Sequence, residues 1–272
     1  MKTIYYYQSF VGLDKLLTHV QDIDVIIVSS IHFGKNNNKA YIHLNDNEPS
    51  DKIFNELWLQ TEKASVKGCK IMLMMGGAGY AYRVLFSNFN LYYPLLIKII
   101  KDKSWITGID LDIEENVKLS NVQMLINCLV RDFGKNFTIT MAPISSSLES
   151  DGGSMAGFNY KELYESEEGK HIHWFNTQCY YSFSFKTYDS IIKNGYPPEK
   201  VVMGMESGQF DNLALPDIPS PRAVPIFKNA LQEVKKIKET YPNSAGVFDW
   251  EYLNAPPDSK DPSQWASLMK KI

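Results

Sequence analysis

Residues 105–115, WITGIDLDIEE, place Asp110, Asp112 and Glu114 at alternate positions between Ile109, Leu111 and Ile113. In an extended strand alternate side chains leave by the same face, so three carboxylates share one face and three branched apolar side chains share the other. A solvated edge strand shows the same alternation. Two physical points weigh against that reading. Aspartate is a poor strand former, and like charges about 7 Å apart along a strand repel one another, which a purely structural strand has no reason to sustain. Crowding also raises the pKa of some members of such a row, so that one can hold a proton near neutral pH and donate it. Three oxygen donors also suit a Mg²⁺ or Ca²⁺ site, but ligands on one strand spread over about 13 Å do not converge on one ion. The row reads as acid–base machinery, with no metal and no cofactor implied.

Outward from this stretch, short apolar runs alternate with longer amphipathic ones, the pattern of repeated βα units. Strands are predicted over 3–10, 24–31, 70–75, the carboxylate stretch, 137–143, 174–181, 201–206 and 245–250. Helices are predicted over 13–20, 51–67, 91–101, 120–132, 160–167 and 222–240, the second capped by Ser50 or Asp51 and closed by Gly68. Residues 35–49, KNNNKAYIHLNDNEP, are expected to form a polar loop. Eight strands so spaced imply an α/β protein, a single (β/α)8 TIM barrel forming one domain over residues 1–272. Residues 207–221 hold only a short connection, so no large insertion domain is expected there and the cleft should be shallow and open.

The residues Gly108 to Glu114, GIDLDIE, resemble the DGxDxDxE signature of glycoside hydrolase family 18, the chitinases and endo-β-N-acetylglucosaminidases. Thr107 stands where the family usually has its first Asp, which leaves the outermost member of the carboxylate row unmatched and bears on the tuning of Asp110 and Asp112. Gly76-Gly77 resemble the family's SxGG segment with Met74 in place of Ser; a nucleotide-binding glycine loop is disfavoured there because no G-x-G-x-x-G spacing follows. FTITMAP, residues 137–143, resembles the fifth strand. Gln178 and Tyr180 match the Q-x-Y segment, and Trp250 the tryptophan under the bound sugar.

The resemblance implies a retaining mechanism in which the substrate's own 2-acetamido oxygen attacks the anomeric carbon, an exception to the usual pair of carboxylates. Glu114 would then be the acid and later the base. Asp112 would hold the acetamido N–H and stabilise the positive intermediate, and Asp110 would share a proton or charge with it. Tyr180 would bond the acetamido carbonyl, Trp250 would carry the apolar sugar face, and Gln178, Gly77 and Met141 would complete the substrate-binding set. Two relatives of that reading stay open: an endo-β-N-acetylglucosaminidase cutting N-glycan cores, and a non-catalytic glycan-binding protein on the same fold.

The totals fit. Net charge −3 and pI near 6.0 argue against nucleic acid or an anionic membrane as partner. Aromatic residues at 13% are plentiful enough to furnish a sugar-binding cleft as well as a core. The three cysteines, Cys69, Cys128 and Cys179, have neither disulfide-framework nor zinc spacing. No leader-like or membrane-spanning run is visible, so the chain is expected to be intracellular unless a leader was removed; a monomer is expected, and the resemblance implies an N-acetylglucosamine-containing saccharide as partner. The histidines at 32, 43, 171 and 173 show no partner pattern.

Overall fold

The computed structural model describes residues 1–37, 39–152, 154–207 and 223–272. Its strands are β1 (Lys2–Tyr7), β2 (Val25–Asn36), β3 (Lys39–Leu44), β4 (Lys70–Gly76), β5 (Ile106–Asp112), β6 (Thr138–Met141), β7 (Ile172–Gln178), β8 (Val201–Glu206) and β9 (Gly246–Trp250). Eight of them are parallel and close into a barrel, because β1 pairs with both β2 and β9. The strands are buried on both sides, as a parallel barrel requires, so they read as continuous apolar runs. Ile4, Tyr6, Ile27, Met72, Met74 and Phe248 fill the lumen. Ile26, Leu73, Ile109, Leu111 and Met203 face the helices.

The helix Leu119–Phe133 shows how the outer layer is held. Val122, Leu125, Ile126 and Leu129 are its buried residues, at the i, i+3, i+4, i+7 spacing of one apolar stripe. Each such side chain contributes about 1.5–3 kcal/mol on burial, and a charge at Leu125 would break the stripe at its centre. No helix among the described residues is long and apolar enough to cross a membrane.

The barrel prediction holds, with local corrections. The segment 35–49 is not a plain loop: β2 runs on to Asn36 and pairs antiparallel with β3. Ile42 and Leu44 alternate inward there, and Asn37 takes the left-handed turn conformation (φ 45°) that asparagine tolerates. Helical structure before β5 begins earlier than expected, in Ala81–Ser87 and Phe89–Asp102, and the helices Phe185–Lys193 and Ser263–Lys271 were not anticipated. The predicted short connection after β8 lies, beyond Ser207, outside the described residues.

Candidate active site

Pairing register decides which side chains of β5 face the lumen. Asp110 is level with Met74 on β4 and Thr140 on β6, whereas Leu111 is level with Met75 and Met141. Asp110 and Asp112 therefore point inward and are buried, at 0% and 5% exposure. The strand ends at Asp112, and Glu114 stands two residues beyond it, partly exposed at the carboxyl end of the barrel. Gln178 at the end of β7 bridges the two acids. Its Nε2 lies 3.1 Å from Asp112 Oδ1 and 3.4 Å from Glu114 Oε1, and it is held by the Ala142 carbonyl at 2.9 Å.

Asp110 is solvated by protein. Tyr6 Oη donates to its Oδ2 at 2.7 Å, and Thr140 Oγ1 and Asn176 Nδ2 donate to its Oδ1 at 2.5 and 2.9 Å. Asn176 presents its amino group to the carboxylate because the Trp174 indole N–H, at 2.8 Å, occupies its amide oxygen. Burial pushes the Asp110 pKa up, and the three donors pull the other way. Asp112 is held well above the ordinary carboxylate range by burial first, then by the Glu114 and Asp110 charges, against one donor from Gln178. Tyr180 is likewise raised by burial and by the Asp112 charge, so it stays a phenol with a proton to donate.

The walls follow from glycine and aromatic residues. Gly76 has φ +101°, and a Cβ there would lie 2.1 Å from the Asp112 carbonyl oxygen, so only glycine lets β4 pass so close. Gly77 donates its N–H to that carbonyl at 2.9 Å. Tyr6 packs against Phe248 and Trp250, with ring centroids 5.0 and 5.3 Å apart. Asp112, Glu114, Gln178, Tyr180, Trp250 and Gly77 line one cavity of about 310 Å³, joined by Gln8, Ser30, Met74, Gly76 and Ala78.

Two expectations need correction. Met141 does not reach this cavity: paired with Leu111, it is fully buried in the layer facing the helices, and Thr140 takes the inward place. A shift of one residue puts a strand side chain on the opposite face. Thr107 is no member of the carboxylate row. It is exposed near the start of β5, in a bulge between the Ile71–Ile106 and Met72–Gly108 pairs. The row Asp110, Asp112, Glu114 is complete without it.

Several residues of the site went unread in the sequence. Tyr6, Thr140, Asn176 and Trp174 are found only by carrying the period-two pattern along strands whose inward phase is known. The pair Trp174 and Asn176 extends the Gln178, Tyr180 spacing backward and was within reach. Glu115 turns away from the lumen and accepts the Tyr82 and Arg83 N–H groups at 2.7 and 3.1 Å, capping the helix Ala81–Ser87. His32 braces the wall from behind. Its Nε2 is 2.9 Å from the Ala78 carbonyl and its Nδ1 3.4 Å from Ser30 Oγ, so it ties together two residues that line the cavity.

A closed parallel barrel with buried, hydrogen-bonded carboxylates and aromatic walls at the carboxyl ends of its strands is the setting of an enzyme active site. No family model and no curated protein matches the chain by sequence. Solved structures match it in fold. A fungal endo-β-N-acetylglucosaminidase from glycosyl hydrolase family 18 superposes with TM-score 0.82 and 29% identity, covering 99% of this chain and 96% of the other. A chitinase from Aspergillus fumigatus gives TM-score 0.80 and 29% identity over 99% and 98% of the two chains. A family 18 chitinase from Pseudoalteromonas aurantia shares the fold at TM-score 0.74 and 21% identity, over 100% and 99%. The protein is a glycoside hydrolase of the chitinase-like class. Its likeness to these solved structures supports the resemblance to glycoside hydrolase family 18.

Proposed function

We propose that the barrel acts as one catalytic domain that hydrolyses the β-1,4 bond between N-acetylglucosamine units, with chitin as substrate and with the substrate's acetamido group as nucleophile. One observation carries this reading. Among the described residues that line the cavity, both carboxylates, Asp112 and Glu114, come from the same strand end; Glu206, at the end of β8 and close enough to raise the Tyr180 pKa, is not one of them. A two-carboxylate mechanism needs an acid on each side of the scissile bond. Here the nucleophile has to come from elsewhere, and an N-acetylated sugar brings one.

The roles follow from placement. Glu114, at the rim and partly exposed, protonates the leaving oxygen and then activates the incoming water. Asp112, buried and with a raised pKa, holds a proton until the acetamido N–H replaces it as hydrogen-bond donor; the ionised carboxylate then steadies the cationic intermediate. Asp110 takes up or shares that proton through the same buried row. Tyr180 donates its hydroxyl to the acetamido carbonyl, and Trp250 lies beneath the sugar. Gln178 keeps Asp112 and Glu114 in fixed relation.

Mass spectrometry after incubation with a chitin pentasaccharide, beside Glu114→Gln, tests the reading. Shorter N-acetylated products are expected from the native chain alone. Fully deacetylated oligomers should survive, because they lack the nucleophile, and their efficient cleavage would exclude substrate assistance. The similarity to a fungal endo-β-N-acetylglucosaminidase favours one second reading, cleavage of the same bond in the core of an N-glycan. An N-glycopeptide in a parallel tube separates the two.

A further inference from the structure

The other end of the barrel gathers the opposite charge. Lys2 and Lys70 stand at the starts of β1 and β4, and Lys200 immediately precedes β8. Each is an even step from a lumen-facing residue, Ile4, Met72 and Val202. Lys2 Nζ lies 5.0 Å over the Trp174 ring. Lys70 Nζ reaches past β5 to donate to Thr138 Oγ1 at 2.7 Å, and Lys200 Nζ donates to the Ile172 carbonyl. The Ile139 N–H, beside Thr138, donates to His173 Nδ1 at 3.2 Å. Three ammonium groups thus close on the short stretch from Ile172 to Trp174 and its β6 neighbour.

Among the described residues no carboxylate pairs with these ammonium groups, and only Glu199 offsets the Lys200 charge from a distance. All three lysines are partly buried. Among the described residues none of them makes an ion pair, Glu199 beside Lys200 included. Their partners are a hydroxyl, a carbonyl and a ring face, which orient an ammonium without neutralising it, and an ammonium has three N–H groups to place. Burial, then the Lys2 charge, pushes the Lys70 pKa down, and burial does the same to Lys200. His173 is lowered by burial and further by Lys200 and Lys70. Ser244, whose buried hydroxyl has no partner among the described residues, adjoins Ala245, the carbonyl that receives the Lys2 N–H. A chain of net charge −3 has here collected uncompensated positive charge between low-dielectric walls, which concentrates anions.

We propose that the amino-end mouth of the barrel, formed by Lys2, Lys70 and Lys200 around Trp174, binds a small tetrahedral oxyanion, either inorganic phosphate or the phosphoryl group of a small phosphate monoester. The anion accepts the N–H groups that the three lysines leave free and offsets their mutual repulsion. The site is independent of the hydrolase reading, being at the opposite end of the barrel.

Calorimetric titration and thermal unfolding of the whole chain test this, with inorganic phosphate and glycerol 1-phosphate as probes and ionic strength fixed with sodium chloride. Saturable binding of one anion per chain is expected, with a rise of a few degrees in Tm that chloride does not give. Lys70→Met should weaken binding at least tenfold. Lys2→Met should do the same, and it serves if the first variant folds poorly. Tighter binding of one probe identifies which source of phosphoryl the mouth prefers, and binding of either supports the site. Absence of saturable binding by both, or undiminished binding in both variants, overturns it.

Discussion

The two mouths of the barrel put like charges into one lumen by the same strand parity, but they solvate them differently. At the carboxyl end Asp110 is met by three neutral donors, from Tyr6, Thr140 and Asn176, and Asp112 by Gln178. At the amino end Lys70 and Lys200 find one acceptor each and Lys2 a ring face. A carboxylate inside a protein can be held by hydroxyl and amide donors that a barrel strand readily supplies. An ammonium in the same place needs acceptors, and most strand carbonyls are already committed to the ladder, the Ile172 carbonyl at the start of β7 being the one Lys200 reaches. The acidic mouth therefore has its charge met by neutral donors as folded, whereas the basic mouth leaves its charge to be met from solution. Trp174 links them: its ring lies under Lys2 and its N–H fixes Asn176, which holds Asp110.

The largest effect should come from the rim of the acidic mouth. Glu114→Gln removes the proposed proton donor while keeping shape and the Gln178 contact, so kcat should fall by about 10²–10⁴-fold with oligosaccharide binding kept. Near-normal turnover in that variant would transfer the acid's role to another group. The donors around Asp110 come next. Asn176→Ala leaves both Asp110 and the Trp174 N–H short of a partner, which costs about 1–3 kcal/mol for a buried group. Roughly 10-fold slower hydrolysis is expected, with the pH optimum displaced. A loss of stability with an unmoved pH profile would mark Asn176 as packing alone.

Asp112 allows the electrostatic half of the comparison to be measured in stability. Folding raises its pKa above the ordinary 3.8. Its contribution is therefore full below that value and is lost as pH rises through the folded pKa. Each pH unit over which the folded chain keeps this proton and the unfolded chain does not is worth about 1.4 kcal/mol. Asp112→Asn has no proton to lose and should be the more stable protein at neutral pH, the gap closing toward about pH 4. Urea unfolding at a series of pH values reads it. Parallel curves for the two proteins would mean that Asp112 ionises as easily folded as unfolded.

How much of this was visible beforehand follows from what a one-dimensional pattern can carry. The alternation in WITGIDLDIEE marked the carboxylate row, and the barrel followed from the regular spacing of apolar runs. Gln178, Tyr180, Trp250 and Gly77, which the family resemblance singled out, line one cavity at the strand ends. Absolute phase was not visible, because alternation says which residues share a face and not which face turns inward. Tyr5, Tyr6 and Tyr7 are identical as letters, yet only Tyr6 meets Asp110. The same ambiguity put Met141 in the cleft and hid Thr140. Parity excludes Thr107 as well: it lies three residues before Asp110, an odd step, so it cannot share the face of the row, and it sits beside a bulge.

The smallest prediction isolates that phase error. Met74 and Met141 are both buried methionines on barrel strands, but Met74 lines the cavity and Met141 packs toward the helices beside Leu111. Met141→Leu is close to volume-conserving and should cost less than about 1.5 kcal/mol, with KM for a chitin oligosaccharide unchanged. Met74→Leu costs the fold about as little, yet it reshapes the wall that faces Gly77, whose missing Cβ would lie 3.0 Å from the Met74 methyl. Its effect should therefore appear in KM. If Met141→Leu moved KM as much as Met74→Leu did, the inward phase of β6 would be wrong, and with it the Thr140 bond that holds Asp110 at the centre of the acidic mouth.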